Sequence, residues 1–526
     1  MSSMQRIGTL CSLPLLALAV AGCSLTRPPQ AAPAGVPAQW NAPLPRMLPH
    51  DGSQAELADW WRQLDDPLLV EIVDAAEAAS PTLASAAARV AEARATRIAA
   101  GAALLPSLDG SLQASRSNNV LSAGAGASSA GAGAGSGIGA SNPVPYTTLT
   151  AGLQSSWEID LFGGLSASRS AAVQREASAQ AKWHDARVAV AAEAANAYFA
   201  ERACVGQLRV AESDTRSRTE TSRLTGLSAE AGFTAPADAA LARASAAEGN
   251  SRLTQQRALC DVQRKALVQL TGIDEAVLAQ KLALAPAQPP LPQVAPVASV
   301  PAQLLAQRPD VYASQLAVAA ASDEVGSSEA ERYPKLSLTG NIGRTQIRTA
   351  GFSQTLDTWT IGPLQLTLPI FDGGRRAANV ESAKARYTEA ASAYRADVRK
   401  AVREVEEALI NLQSADARTD DANTAVTNYQ ASFDAVRART ESGLASLFEL
   451  EDARRALFAA QTSRVALASD RAQAWVALYR AMGGGWQRPA DADALAVANN
   501  AAKATNTATP APAAATPTST APAANR

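Results

Sequence analysis

Residues 146–161 read YTTLTAGLQSSWEIDL. Leu149, Ala151, Leu153, Trp157, Ile159 and Leu161 occupy odd positions, and Thr148, Thr150, Gln154, Ser156, Glu158 and Asp160 fall between them. Successive side chains of a strand point to opposite faces, so this alternation makes one face apolar and the other polar. A half-buried soluble sheet shows that pattern, and so does a membrane strand with lipid on one side and water on the other. Three further stretches repeat it. Residues 106–117 set Leu108, Leu112 and Ala114 against Ser107, Asp109, Ser111, Gln113 and Ser115. Residues 334–347 set Leu336, Leu338 and Ile342 against Lys335, Ser337, Thr339 and Asn341. Residues 358–371 alternate in two phases, with Trp359 and Ile361 followed by Leu364, Leu366, Leu368 and Ile370. The slip falls at Gly362-Pro363, which suits a β-bulge.

The four stretches come in two pairs because the chain repeats itself. Pro106 answers Pro334, Gly163 answers Gly373, Gly232 answers Gly443, and Gly272 answers Gly483. A spacing of about 210 positions is far too long for a solenoid repeat and points to duplication of a half-protein. A Gly/Ala/Ser run over 122–141 lengthens the first half between its two strands. It contains no G-x-G-x-x-G pattern for a nucleotide phosphate and reads as a strand-connecting loop.

Long helices follow the strands. Residues 375–440 contain neither Pro nor Gly, 66 residues that span ~100 Å as one helix. Val398, Val402, Val405, Leu409, Leu412, Thr419, Ala422, Val426, Tyr429, Phe433 and Val436 form a stripe at spacings of three and four, with one longer step. That is a coiled-coil seam. Residues 165–227 are its first-half counterpart, and shorter helices over 235–271 and 446–482 return from turns near Gly232 and Gly443. The fold class is therefore mainly α with a small β part: two antiparallel helical hairpins plus four strands.

The N-terminus has a positive Arg6, a short apolar run over 10–20, then Val20-Ala21-Gly22 ahead of Cys23. The run is too short to span a membrane and reads as a secretory signal over 1–22. No later stretch reaches the ~20 apolar residues of a helical span, so any crossing falls to the strands. Four strands cannot close a membrane barrel, whose smallest form has about eight. Open edges are not tolerated in lipid. Membrane strands in this number require several chains to share one barrel. With a net charge of -2 and no basic patch, nothing suggests nucleic acid. Two histidines, His50 and His184, supply neither a metal cluster nor a catalytic triad, so no cofactor, metal or enzymatic activity is expected.

Several motifs stand in a specific order: the signal and Cys23, Trp60-Trp61, Asp66-Pro67 with Leu69, 304–311 reading LLAQRPDV, Tyr333-Pro334, and 368–374 reading LPIFDGG ahead of the long helix. Together they resemble the outer membrane factor family of TolC-like efflux proteins, in its lipoprotein multidrug-efflux (NodT-type) branch, over about 20–487. The resemblance implies a homotrimer with a twelve-stranded outer-membrane barrel above a periplasmic helical tunnel. It also implies Cys23 as the lipidated first residue of the mature chain. The partners implied are a periplasmic adaptor protein, an inner-membrane efflux pump and outer-membrane lipid. The chain then divides into a signal peptide (1–22), an anchor and Pro/Ala linker (23–55), a first repeat (56–283), a Pro-rich connector (284–301), a second repeat (302–487) and an Ala/Thr/Pro tail (488–526).

By the same resemblance Glu449 and Asp452 take the acidic positions of the tunnel constriction. Their spacing of three puts them on one helix face, where a trimer would stack two rings of negative charge that favour cations. A solvated helix face would look the same in sequence. The tip turns Gly232-Phe233 and Gly443-Leu444 with Ser446 match the adaptor-docking tips, and a plain helix–helix turn would use the same glycines. The aromatic and arginine bracing positions of the family align with Thr440 and Ala445, so that brace is not expected here. Cys204 and Cys260 lie equally far from Gly232, hence level in an antiparallel hairpin. That suits a disulfide in an oxidising compartment; two buried thiols are the alternative. The function expected is the passive exit duct of a tripartite efflux system. The alternatives are the duct of a type I protein export system, and a periplasmic coiled-coil lipoprotein without a pore.

Overall fold

The computed structural model describes residues 27–33, 60–119, 144–285, 308–349, 352–486 and 488. Cys23, the signal segment, the 122–141 run, most of the Pro-rich connector and the tail beyond Arg488 lie outside the described residues.

Each half runs helix, two strands, long helix, returning helix. In the first, α1 (Pro67–Ala79) and α2 (Pro81–Ala102) lead to β1 (Ser107–Asn119), β2 (Val144–Ile159), α3 (Gly164–Glu230), α4 (Pro236–Thr271) and the short α5 (Glu275–Leu284). In the second, α6 (Pro309–Ala330) leads to β3 (Lys335–Thr349), β4 (Phe352–Thr367), α7 (Arg375–Glu441) and α8 (Leu447–Ala481). The two long helices both have 67 residues. Helices α2 and α6 both have 22 and both begin with Pro, whose fixed φ suits the first helical position.

The strands form one antiparallel sheet in the order β1-β2-β3-β4. Leu153 lies opposite Gly110 on one side and Ile342 on the other, which keeps the apolar residues on one face. Between β3 and β4 the register shifts where Gly362-Pro363 stand opposite the single residue Thr339, a bulge at the expected dipeptide. The strand ends differ from the expected ones. β4 begins at Phe352 and stops at Thr367, where alternation had suggested 358–371. The backbone ladder pairs Thr349 with Phe352 and carries on through Ser353 and Gln354, which have no apolar pattern. Beyond Thr367, Pro369 has no N–H for a ladder. β2 stops at Ile159 because the Asp160 carboxylate turns to accept from the Leu165 and Ser166 amides at the start of α3.

The main core lies where both halves meet. Trp60 stacks on Trp475 at 4.4 Å between ring centroids, and Trp61 meets Tyr479 at 4.6 Å. Leu69, Ile72, Leu278, Leu409, Leu412 and Val476 are fully buried around them. Asp66 caps α1 through the Leu68 and Leu69 amides and accepts from the Tyr198 hydroxyl at 2.5 Å. The Arg-Pro-Asp motif has a structural role of the same kind. Buried Arg308 forks onto Asp310, donates to Glu404 Oε2 at 2.7 Å and reaches the Ala481 carbonyl at 3.1 Å. One side chain thereby ties α6 to the base of both helices of the second hairpin. Residues 27–33 pack against α6 and α7. There Arg27 and Gln30 donate to the fully buried Asp323, and the Tyr387 hydroxyl donates to the Pro29 carbonyl.

Candidate functional site

The site is at the free ends of the hairpins, and its geometry begins with two glycines. Gly232 (φ 79°) and Gly443 (φ 74°) follow the ends of α3 and α7 in the left-handed region that side chains with Cβ avoid. The next amide reaches back across each helix end, Phe233 to the Ser228 carbonyl and Leu444 to the Arg439 carbonyl. Phe233 and Leu444 point outward and are 87% and 72% exposed. Phe448, in the first turn of α8 and 73% exposed, adds a third apolar side chain that sequence reasoning did not name. The second tip is fastened more closely than the first. Ser446 and Glu449 form a capping box, whereas Ala235 offers no side-chain cap to α4.

Glu449 and Asp452 lie on one exposed face of α8, as their spacing requires. Glu449 is partly occupied: one carboxylate oxygen accepts from the Ser446 amide and hydroxyl, and the other stands 3.8 Å from Arg439. Asp452 is 3.7 Å from Arg455.

On the opposite face of the same turn is a buried ionic network. Glu451 accepts from Arg218 at 2.9 Å and from Ser245 at 2.8 Å, and pairs with Arg454. Arg218 also donates to Asp214 at 2.9 Å and to Ser245 at 2.6 Å, and Arg454 reaches Thr221 at 2.7 Å. Burial pushes the Arg454 guanidinium below its ordinary pKa, against the pull of Glu451. Arg454 also lies over the Phe433 ring, so all four helices of the two hairpins contribute. Gly249 makes the space: a Cβ there would come within 3.0 Å of Arg218 Cδ. Sequence reasoning missed this network, although Asp214/Arg218 at four apart, Glu451/Arg454 at three apart and a mid-helix glycine were its visible traces.

Cys204 and Cys260 are joined in a disulfide between α3 and α4, with Cα atoms 5.5 Å apart. At the corresponding level of the second hairpin Asp416 pairs with Arg471 at 2.5 Å. Among the described residues no group of His, Cys, Asp or Glu could hold a metal ion, and no helix is long and apolar enough to cross a membrane.

The outer membrane efflux protein model matches residues 72–273 and 300–484, both halves of the architecture above. The chain belongs to the outer membrane efflux protein family. Its members are outer-membrane channels, and the chain is one of these efflux channels. Curated relatives include the pyoverdine export outer membrane protein OpmQ of Pseudomonas putida, 31% identical over 91% of this chain and 97% of that one. Another is the outer membrane protein OprJ of Pseudomonas aeruginosa, 32% identical over 63% and 68%. A membrane protein of Pseudomonas aeruginosa has a solved structure that superposes with a TM-score of 0.75 at 25% identity, covering 88% of this chain and all of that one. The Campylobacter jejuni CmeC outer membrane channel has the same fold at a TM-score of 0.72 and 24% identity, over 84% and 91%.

Proposed function

We propose that three copies of this chain form the exit duct of a tripartite efflux system, anchored through a lipid on Cys23. Each copy gives four strands to one barrel, and its hairpins extend into the periplasm toward an adaptor protein and an inner-membrane pump. The observation that carries this reading is the sheet. Over the half of the sheet nearer the helices one face is apolar on all four strands, and β1 and β4 leave open edges that lipid does not tolerate. Sharing strands between copies removes those edges. The two-repeat family match and a Pseudomonas relative named for pyoverdine export support a transport role. In this reading residues 1–22 are the signal, 23–55 the anchor and linker, 284–301 the connector between repeats and 488–526 a tail.

In the same reading Glu449 and Asp452 ring the constriction of the closed duct, and Gly232, Phe233, Gly443, Leu444 and Ser446 form the adaptor-docking tips. The network behind Glu451 holds α8 against the first hairpin, so outward movement of the acidic pair parts Glu451 from Arg218 and Ser245, and Arg454 from Ser217 and Thr221.

Planar-bilayer conductance tests the proposal. The wild type should give small stepwise currents, and Glu449→Ala/Asp452→Ala should give currents that are larger or less cation-selective. Unchanged currents would move the constriction elsewhere. A well-folded protein that never inserts would point to a coiled-coil lipoprotein without a pore.

A further inference from the structure

Three arginines stand on the apolar face of the sheet. Period-two geometry and the ladder register align Arg116 with Thr147, Arg348 and Ser353 in one row across the four strands. Four residues closer to the helices, Arg344 and Asp357 share a row with Leu112 and Ala151 on the same face. The next row toward the helices holds Leu153, Ile342 and Trp359. Beyond it that face continues through Trp157, Leu338 and Leu364 to Ile159, Leu336 and Leu366. The charges are therefore confined to the end of the sheet away from the helices.

Their height can be estimated. Leu336 and Arg344 are eight residues apart, ~26 Å along a strand and ~20 Å along the membrane normal at a tilt of ~40°, against an apolar band of ~25 Å. An arginine facing lipid costs about 2–4 kcal/mol at the midplane and little at the interface. The exposed Arg344–Asp357 pair, at 2.6 and 2.8 Å, thus marks the outer limit of the hydrocarbon. Arg116 and Arg348, both exposed, lie two rows farther out, at headgroup level.

The opposite face makes the contrast. At the same level its positions are uncharged, with Ser115, Thr148, Thr345 and Gln354. The lipid-facing side has three arginines against one aspartate, Asp357, among the described residues of this half of the sheet. Arginine's planar fork matches the oxygens of a phosphate group two at a time, and the lipid-facing side of a barrel is closed to other polyanions at this depth.

We infer that Arg116 and Arg348 dock the phosphate groups of an anionic glycolipid in the outer leaflet of the membrane. The inference rests on the barrel reading above, which decides that this face meets lipid. It assigns the sheet a lipid specificity separate from transport through the lumen. Three copies would present three such sites around the rim.

The test reconstitutes the full chain in phosphatidylethanolamine vesicles containing either diphosphoryl lipid A or its dephosphorylated form. Retained glycolipid per trimer is read by native mass spectrometry, for the wild type and for Arg116→Gln/Arg348→Gln. The wild type should retain the diphosphoryl form preferentially. The variant should lose that preference, at roughly fivefold in affinity per arginine and about 25-fold for the pair, with conductance unchanged. A conducting wild type with no preference, or a variant that binds like the wild type, would overturn the inference alone. A wild type that neither inserts nor conducts would overturn the barrel reading and the inference with it.

Discussion

The two hairpins are near copies in length, yet they are fastened differently. At the level where the first has the Cys204–Cys260 disulfide, the second has the Asp416–Arg471 ion pair, with side chains 38% and 23% exposed. A covalent bond holds α3 and α4 level through any movement. A partly exposed ion pair is worth about 0.2–1 kcal/mol and yields to modest force. In the proposed duct this difference would make the first hairpin a strut and the second the movable arm, with Glu449 and Asp452 on the arm. What holds the arm to the strut is the buried network around Glu451, close to the second tip.

The largest effect should come from that network. Glu451→Ala leaves Arg218 and Arg454 buried and facing one another without their shared carboxylate, at a cost of about 3–5 kcal/mol. Conductance should rise as the arm loosens, and thermal unfolding in detergent should begin earlier. A variant as closed and as stable as the wild type would break the strut-and-arm distinction at its joint.

The disulfide comes next. It closes a loop with a sequence separation of 56, and on the chain-entropy model its loss costs up to about 4 kcal/mol. Cys204→Ser/Cys260→Ser should therefore be less stable to denaturant but conduct as before, because the strut does not move. Non-reducing mass mapping that found both thiols free would remove the comparison altogether. The converse variant sharpens it. Ala415→Cys/Arg471→Cys puts a thiol pair at the matching level of the arm, and its oxidation should block efflux in cells until reductant is added.

The Arg308 tie at the base of the arm gives a pH dependence. Burial pushes the Asp310 carboxyl up, but the bonds from Arg308 outweigh it and hold the pKa below its ordinary value. A depressed acid contributes stability above its unfolded pKa of about 3.9 and loses it as pH falls through the folded value. Unfolding at neutral and strongly acidic pH should show a stabilisation in the wild type that Asp310→Asn lacks at neutral pH. Equal pH profiles for the two proteins would remove Asp310 from the tie.

Much of this architecture was legible because it is periodic. Alternation exposed the four strands, and the absence of Pro and Gly over 375–440 exposed the long helix whatever its packing. The level of the two cysteines followed from one glycine. What stayed hidden depends on partners far away in sequence. Glu451 and Asp452 are neighbours with the same chemistry, yet one is buried against Arg218 and the other is exposed. Only the packing of four helices decides which. The start of β4 was hidden for a related reason: Ser353 to Asp357 belong to the sheet through backbone pairing and the Arg344 contact, with no apolar alternation to betray them. Helices α1 and α2 lacked a landmark longer than the Asp66-Pro67 and Ser80-Pro81 starts that cap them.

The smallest expected effect is also the most discriminating. Asp416→Asn keeps the shape of the side chain and removes the charge opposite Arg471. Because both groups are partly exposed, water screens what remains, and unfolding stability should change by less than about 1 kcal/mol. The conductance of the resting channel should not change, since the Glu451 network closer to the tip still holds the arm. If the pair is only a weak clasp, efflux in cells should also proceed at its normal rate. If instead Asp416→Asn were to cost as much as the loss of the disulfide, the ion pair would be a second rigid fastener. Both hairpins would then be struts, and the opening movement would have to be a rotation of whole hairpins about the core around Trp60 and Trp475.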